Sequence, residues 1–297
     1  MNSKIMVSIS CTTYNHEQYI RQCLDGFLIQ QCNFDFEILI HDDASSDNTQ
    51  NVIKEYQEKY PGIIKPYLQS ENQWSQGLRG LNAKFNFSRA KGKYIALCEG
   101  DDYWIDPEKL QKQVDFLEAN SDYVITGHER LIVNEESEFI ELEESKRGEL
   151  YTQCILFRNI LKDDYLQNTL KITNGDTFLI FYLQNFGKTQ ILNFTGSVYR
   201  VHSAGMWSMV SEEKRCTDAI SSLFEMKKFF KKHHYKKALK EVEIAIVDKN
   251  IYFLSKFSPT RKSEVVRLLL RSIKHGQIDQ LKSATAIFIN AFLKIKI

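Results

Sequence analysis

The chain has 297 residues, of which 43% are hydrophobic and 26% charged, values that are ordinary for a soluble globular protein. This length accommodates one large domain, or one domain with an appendage. The six cysteines are scattered without any Cys-x-x-Cys pair, which argues against a disulfide framework or a zinc site. No apolar run reaches the roughly 18 residues needed to span a bilayer, and the first residues turn polar too early for a signal peptide. We therefore expect a cytoplasmic protein.

The net charge of +1 conceals two halves of opposite sign. Residues 212–297 carry 19 Lys and Arg against 9 Asp and Glu, whereas residues 1–211 carry 20 against 29. This asymmetry predicts a first domain over 1–211 and a basic region over 212–297, where apolar residues recur at helical spacing.

The basic helical region has three interpretations: a solvated cap on the first domain, a membrane-binding surface, or a surface for a partner or for oligomerisation. Its lysines cluster near Phe229 and Phe230, which favours an anionic membrane surface and hence a peripheral location at the inner face of the cell membrane. Nucleic acid fits poorly because the first half is acidic and no nucleic-acid-binding motif is present.

Strands and helices alternate along the first domain. Apolar runs predict strands over 7–11, 36–40, 63–68, 94–98, 123–126, 190–194 and 197–202, and either a strand or a buried turn over 155–157. Helical spacing and caps predict helices over 17–31, 47–60, 81–90, 106–119, 158–170 and 177–186, with a polar hairpin over 129–142. Further helices are predicted after residue 212, the last two over 265–273 and 281–293. The alternation predicts an α/β fold, with a mainly parallel sheet covered by helices on both faces and a helical appendage at its C-terminal end.

Three polar loops follow strands of the predicted sheet, at residues 12–15, 42–47 and 99–102. Ligands bind outside the carboxyl ends of parallel strands, so we expect these loops to form one pocket. The loop after the first strand lacks the Gly-x-Gly-x-x-Gly pattern of dinucleotide-binding folds, and the chain contains no P-loop motif.

The third loop places Glu99, Asp101 and Asp102 around Gly100, directly after a buried strand. Carboxylates this close repel one another and need a compensating cation. Oxygen ligands suit Mg²⁺ or Mn²⁺, which usually complete their coordination with substrate phosphates. The loop therefore predicts a metal-diphosphate site, and a solvated acidic turn is the alternative.

Taken together, these motifs resemble the family 2 glycosyltransferases, which have the Rossmann-like GT-A fold. The resemblance extends over about residues 5–207 and is carried by VSISCTTYN at 7–15, IHDDASSD at 40–47, KGKYIALCEGDDYW at 91–104, NGD at 174–176 and YRVH at 199–202. It implies that residues 1–211 form a catalytic domain. The implied reaction is the inverting transfer of a sugar, by single displacement, from a nucleotide diphosphate, usually UDP, to an acceptor hydroxyl.

The resemblance also implies roles for residues of the first two loops. Thr12 and Tyr14 would border the nucleobase, with Tyr14 offering the face of its ring. Asp43 would accept a hydrogen bond from the uracil imide, and Asp42 would lie beside it. The alternatives are a turn residue for Asp43 and a helix-start carboxylate for Asp42.

Glu99 and Asp101 match the Asp-x-Asp motif of the family, with Glu in place of the first Asp. Asp101 would bind the metal, and Glu99, Gly100 and Asp102 would belong to the nucleotide-binding turn. Asp102 has the alternative of a structural anchor.

Asp176 matches the catalytic base of the family, and His202 a position that reaches the diphosphate or the metal. A helix N-cap is the alternative for Asp176, and a hydrogen-bonded structural residue is the alternative for His202.

The sequence thus predicts a glycosyltransferase that uses a UDP-sugar and Mn²⁺ or Mg²⁺. Its acceptor, implied by the resemblance alone, would be a glycan or lipid-linked glycan of bacterial surface-glycan assembly. Two other functions stay open. A nucleotidyltransferase would need a Gly/Arg/Lys-rich loop after the first strand, which is lacking here. A non-catalytic sugar-nucleotide sensor or scaffold would bind UDP without releasing sugar.

Overall fold

The computed structural model describes residues 5–143, 150–169, 172–205 and 210–257. The chain divides into two compact units. The first comprises Met1–Lys171 and Gly175–Gly205, and the second comprises Ile172–Asn174 and Met206–Ile297. All strands of the described residues lie in the first unit.

The first unit is built on a nine-stranded sheet. The strands are β1 (Val7–Thr13), β2 (Phe36–Asp42), β3 (Ile64–Leu68), β4 (Tyr94–Leu97), β5 (Tyr103–Trp104), β6 (Tyr123–Val133), β7 (Phe139–Glu143), β8 (Leu156–Arg158) and β9 (Lys188–Arg200). Their order is β3-β2-β1-β4-β8-β6-β9-β5, and β7 pairs with β6. The four strands from β3 to β4 are parallel, whereas beyond β4 only β6 and β9 pair in parallel. The predicted α/β fold is confirmed, with the added finding that half of the sheet is mixed.

Helices follow most strands of this unit. They are α1 (Ile20–Leu28), α2 (Thr49–Lys59), α3 (Lys109–Ala119), α4 (Asp163–Asn168) and α5 (Gly175–Leu183). Apolar residues of α1 and α3 pack in one core with those of β1, β2 and β4. Because β1 lies at the centre of the parallel strands and is almost wholly buried, its carboxyl end is held firmly in place.

The predicted helix over 81–90 is instead a π-helical turn, Asn82–Asn86, followed by a 3₁₀ turn, Phe87–Arg89. Side-chain hydrogen bonds to β1 explain the difference. Ser10 Oγ donates to Asn82 Oδ1 at 2.6 Å, and Asn86 Nδ2 donates to the carbonyl oxygen of Cys11 at 3.0 Å.

The strands β6 and β9 are longer than predicted. Two strands were predicted over 190–194 and 197–202. The structure has the single strand β9 instead, which ends at Arg200. Strand β9 runs beside β6, from the pair Tyr123–Lys188 to the pair Val133–Arg200, and this pairing extends both strands. The predicted hairpin is formed by β6 and β7, whereas the predicted helix over 158–170 is reduced to α4.

The described part of the second unit contains α6 (Glu212–Lys232) and α7 (Lys236–Phe257), so the predicted helical character is present there. Phe229 and Phe230 are only 6% and 0% exposed, so their side chains are not available to insert into a membrane. The prediction that these two residues support membrane binding is therefore wrong. The helices predicted over 265–273 and 281–293 lie outside the described residues. Within the described ranges, no helix is long and apolar enough to cross a membrane.

Candidate active site

The three predicted loops meet at the carboxyl end of β1. The carbonyl oxygen of Thr13 accepts the backbone N–H of Asp43 at 3.0 Å, and that of Thr12 accepts the N–H of Gly100 at the same distance. The end of β1 therefore fixes the loops after β2 and β4 against each other.

The residues predicted to contact the nucleobase differ in accessibility. Tyr14 is 44% exposed and Thr12 is half-buried, so both can contact a ligand. Asp42 is fully buried, and its Oδ1 atom accepts hydrogen bonds from the N–H of Ser45 at 2.9 Å and from Gln50 Nε2 at 2.6 Å. These contacts make Asp42 an anchor of its own loop.

Asp43 organises a second loop, which follows β3. Its two carboxylate oxygens accept the backbone N–H groups of Gln73 at 2.8 Å and Trp74 at 3.0 Å, and its carbonyl oxygen accepts a hydrogen bond from Asn72 Nδ2. The Asp43 side chain is itself buried, and each of its carboxylate oxygens keeps a second lone pair besides these hydrogen bonds. A base bound at Asp43 would therefore lie against the loop at residues 72–74.

The acidic turn, which comprises Glu99, Gly100, Asp101 and Asp102, is tightly packed. A Cβ atom added at Gly100 would lie 2.5 Å from Thr13 Oγ1, so no larger residue fits there without a shift. Asp102 is 2% exposed, and its Oδ1 atom accepts the N–H of Arg200 at 2.9 Å. The guanidinium of Arg200 in turn donates to the carbonyl oxygen of Asp101. Asp102 is thus a structural link to the end of β9.

His202, just beyond β9, joins Asp101. The Nε2 atom of His202 lies 3.1 Å from Asp101 Oδ2, and the Nε2 atom of His16 lies 3.6 Å from the same oxygen. Sequence reasoning missed His16, although its place in the polar loop after β1 was a usable signal.

The donor set fits a divalent ion. One ligand atom from each of His16, Asp101 and His202 lies within 4.8 Å of the others, and the same holds for Glu99, Asp101 and Asp102. Imidazole nitrogens suit first-row transition ions and carboxylate oxygens suit Mn²⁺ and Mg²⁺, so this mixed set is compatible with a divalent metal ion.

The electrostatics of the turn also favour a cation. Burial raises the pKa of Glu99 to about 8, with further contributions from the charges of Asp101 and Asp176. Burial also raises the pKa of Asp102, helped by Asp101 and Glu99. Burial acts to raise the pKa of Asp101 as well, but its hydrogen bond to His202 and the neighbouring His16 outweigh burial and lower it.

Asp176 lies in the first turn of α5 and is exposed. Its Oδ1 atom accepts the N–H of Thr177 at 2.6 Å, as expected of a carboxylate at a helix start. Its charge acts on Glu99, so the two groups lie within electrostatic range of one another.

Comparison with known proteins identifies the class. Residues 8–181, more than half of the chain, match the model of glycosyl transferase family 2. The chain belongs to this family.

A relative from Mycobacterium tuberculosis, the uncharacterized protein Rv1520, is 36% identical over 227 residues. The alignment covers 70% of this chain and 62% of that protein, so the chain spans less than two thirds of the relative's length.

Two solved structures share the fold. Residues 1–349 of TarS from S. aureus, in complex with UDP-GlcNAc, superpose with a TM-score of 0.62 at 15% identity, covering 96% of this chain and 92% of that one. The mannosyltransferase PcManGT from Pyrobaculum calidifontis, in complex with GDP-Man and Mn²⁺, gives 0.58 at 13% identity, covering 97% and 81%. These likenesses establish the GT-A fold.

Proposed function

We propose that the protein transfers a sugar from a UDP-sugar to an acceptor hydroxyl, with inversion at the anomeric carbon. One observation carries the proposal. The loop of a candidate base-binding carboxylate (Asp43) and the turn of a candidate metal ligand (Asp101) are both hydrogen-bonded to the carboxyl end of β1, where His202 contacts Asp101 and the exposed carboxylate of Asp176 lies within electrostatic range of Glu99.

The residues divide the work of binding the donor. Thr12, Tyr14 and Asp43 hold the nucleobase, while Asp42 shapes the loop that carries Asp43. Asp101 and His202 hold a divalent ion, Mn²⁺ or Mg²⁺, which when bound stabilises the charge that develops on the leaving diphosphate. The binding of UDP-GlcNAc by TarS, and of GDP-Man and Mn²⁺ by PcManGT, supports a nucleotide-sugar donor and a metal.

Asp176 acts as the general base. The acceptor hydroxyl attacks the anomeric carbon on the face opposite to the diphosphate and loses its proton to Asp176, while the bond between the sugar and the diphosphate breaks. General-base catalysis of this kind contributes typically about 10²–10⁴-fold. Exposure of Asp176 leaves it open to an incoming acceptor, and one carboxylate suffices for a single displacement.

The acceptor belongs to the proposal as a glycan or lipid-linked glycan of a bacterial surface polymer, on the strength of family membership. Residues 1–211 act as the catalytic domain. The lysines after residue 212 provide a surface for an anionic membrane, a partner or a second copy, in which the buried Phe229 and Phe230 take no part. The enzyme works at the cytoplasmic side of the membrane, where lipid-linked acceptors are available.

The test measures UDP release from a panel of UDP-sugars with Mn²⁺, with and without EDTA. Wild type is compared with Asp101→Asn, Asp176→Asn and the control Asp163→Asn, which alters an exposed carboxylate in the first turn of α4. We expect one donor to turn over, and we expect EDTA and Asp101→Asn to stop that turnover. Asp176→Asn should lose about 10²–10⁴-fold in the rate of UDP release while still binding UDP.

Tight UDP binding with no turnover of any sugar, even with glycan acceptors added, would indicate a sensor. Full activity of Asp176→Asn would remove the base assignment.

A further inference from the structure

We propose that His16 is a third protein ligand of the metal, and that the site therefore selects a transition-metal ion such as Mn²⁺ over Mg²⁺. This inference rests on the proposed function, because it extends the site of Asp101 and His202. Its starting point is a distance. His16 Nε2 lies 3.6 Å from Asp101 Oδ2, which is too long for a good hydrogen bond but suits two ligands of one ion.

The fold holds His16 rigidly. Its backbone N–H donates to Thr49 Oγ1 at 2.9 Å, and its carbonyl oxygen accepts the N–H groups of Tyr19 at 2.9 Å and Ile20 at 2.8 Å, where α1 begins. A histidine that served only to start this helix would need no defined ring orientation.

The ring of His16 is nevertheless oriented. Its Nδ1 atom lies in hydrogen-bond contact with Thr13 Oγ1, at 3.2 Å. This contact leaves Nε2 directed at Asp101, on the side where His202 also presents Nε2. A hydrogen bond on the non-ligating nitrogen is the usual way in which proteins fix the tautomer and orientation of a metal-bound imidazole.

The resulting ligand set has consequences for the choice of metal. Two imidazoles and one carboxylate suit first-row transition ions, whereas Mg²⁺ prefers oxygen ligands and retains several waters. Loss of His16 should therefore weaken Mn²⁺ binding far more than Mg²⁺ binding. A purely structural role for His16 predicts no difference between the two ions.

In the experiment, the full chain is titrated with Mn²⁺ in the presence of saturating UDP, and free Mn²⁺ is followed by electron paramagnetic resonance. Mg²⁺ is then added as a competitor. The variants are His16→Gln, Asp101→Asn and the control His234→Asn, an exposed histidine of the second unit. We expect His16→Gln to weaken Mn²⁺ binding by at least about 10-fold and Mg²⁺ binding by less than about 3-fold. The control should match wild type.

The outcomes separate this inference from the proposed function. If Asp101→Asn loses Mn²⁺ and His16→Gln does not, His16 is not a ligand and the proposed metal site stands. If Asp101→Asn also binds Mn²⁺ normally, the proposed site itself is wrong.

A spectroscopic measurement covers the case in which His16→Gln does not fold. Pulsed paramagnetic resonance of Mn²⁺ bound to wild type should detect two directly bound imidazole nitrogens, and a single one would overturn the inference. The variant His16→Glu, which supplies oxygen in place of nitrogen, should shift the preference toward Mg²⁺.

Discussion

The carboxylate of Asp102 accepts the backbone N–H of Arg200 at 2.9 Å, although 98 positions separate the two residues in the chain. Asp102 adjoins Asp101 in the acidic turn, and His202 follows Arg200 by two residues. This hydrogen bond therefore helps to hold the two candidate metal ligands close together, along with the hydrogen bond from the Arg200 guanidinium to the carbonyl oxygen of Asp101.

Replacing Asp102 with Ala should destabilise the protein by about 1–3 kcal/mol, because the buried N–H of Arg200 loses its acceptor. Metal binding should weaken as well, since His202 is no longer held in place. The free energy of unfolding from urea denaturation and a Mn²⁺ titration check the two effects. The matched control is Asp122→Ala, which removes an exposed ion pair with Lys188 and should change the free energy of unfolding much less, because solvent screens such pairs. Equal effects of the two variants would contradict the structural role of Asp102.

The variant Gly100→Ala should disrupt the acidic turn. Its new methyl group would lie 2.5 Å from Thr13 Oγ1 and 2.7 Å from Thr13 Cβ, so the turn must shift. We expect a loss of about 1–3 kcal/mol in stability and a loss of transfer activity. Gly62→Ala is the control, because a Cβ there meets nothing within 4 Å. Thermal melting and UDP release measure both variants, and wild-type behaviour of Gly100→Ala would show that the turn tolerates displacement.

The carboxylate of Asp43 should couple UDP binding to the loop after β3. Asp43→Ala leaves the N–H groups of Gln73 and Trp74 without their acceptor, whereas Asp43→Asn keeps one carbonyl oxygen for them. We expect UDP affinity to fall by at least about 10-fold in the Ala variant, and hydrogen exchange at Gln73 and Trp74 to accelerate. Unchanged exchange together with unchanged affinity would refute the coupling.

Glu99 should make the stability of the metal-free protein depend on pH. The folded protein keeps the Glu99 proton up to a pKa of about 8, whereas the unfolded chain releases it near the ordinary value of 4.5. Between these values the folded state binds more protons, so this group lowers the free energy of unfolding as pH rises, by less than about 1.4 kcal/mol per pH unit. Above about pH 8 the effect levels off.

The measurement compares wild type with Glu99→Gln in EDTA, by urea denaturation from about pH 5 to about pH 8.5. Wild type should lose stability relative to the variant as pH rises, and Mn²⁺ should reduce the difference because a cation favours the ionised carboxylate. Parallel curves for the two proteins would contradict the raised pKa.

The sequence alone predicted the parallel strands and the loops after them. Apolar runs that end abruptly in polar residues at Thr12, Asp42 and Glu99 are local signals, and parallel strands necessarily bring their carboxyl ends to one edge. The crowding of carboxylates at Glu99–Asp102 likewise predicted a metal site, which stays a prediction. The resemblance to the glycosyltransferase family could be seen from the motifs, and the family match confirms it.

Only the tertiary structure revealed the partners of these residues. The π-helical turn at Asn82–Asn86 depends on hydrogen bonds to β1, and the length of β9 depends on its pairing with β6, so neither is encoded in a local pattern. The approach of His16 to Asp101 likewise joins residues far apart in the chain. Periodicity reports which face of a segment is buried, but the contacts that position a metal ligand arise from packing between distant segments, and these appear only when the chain is folded.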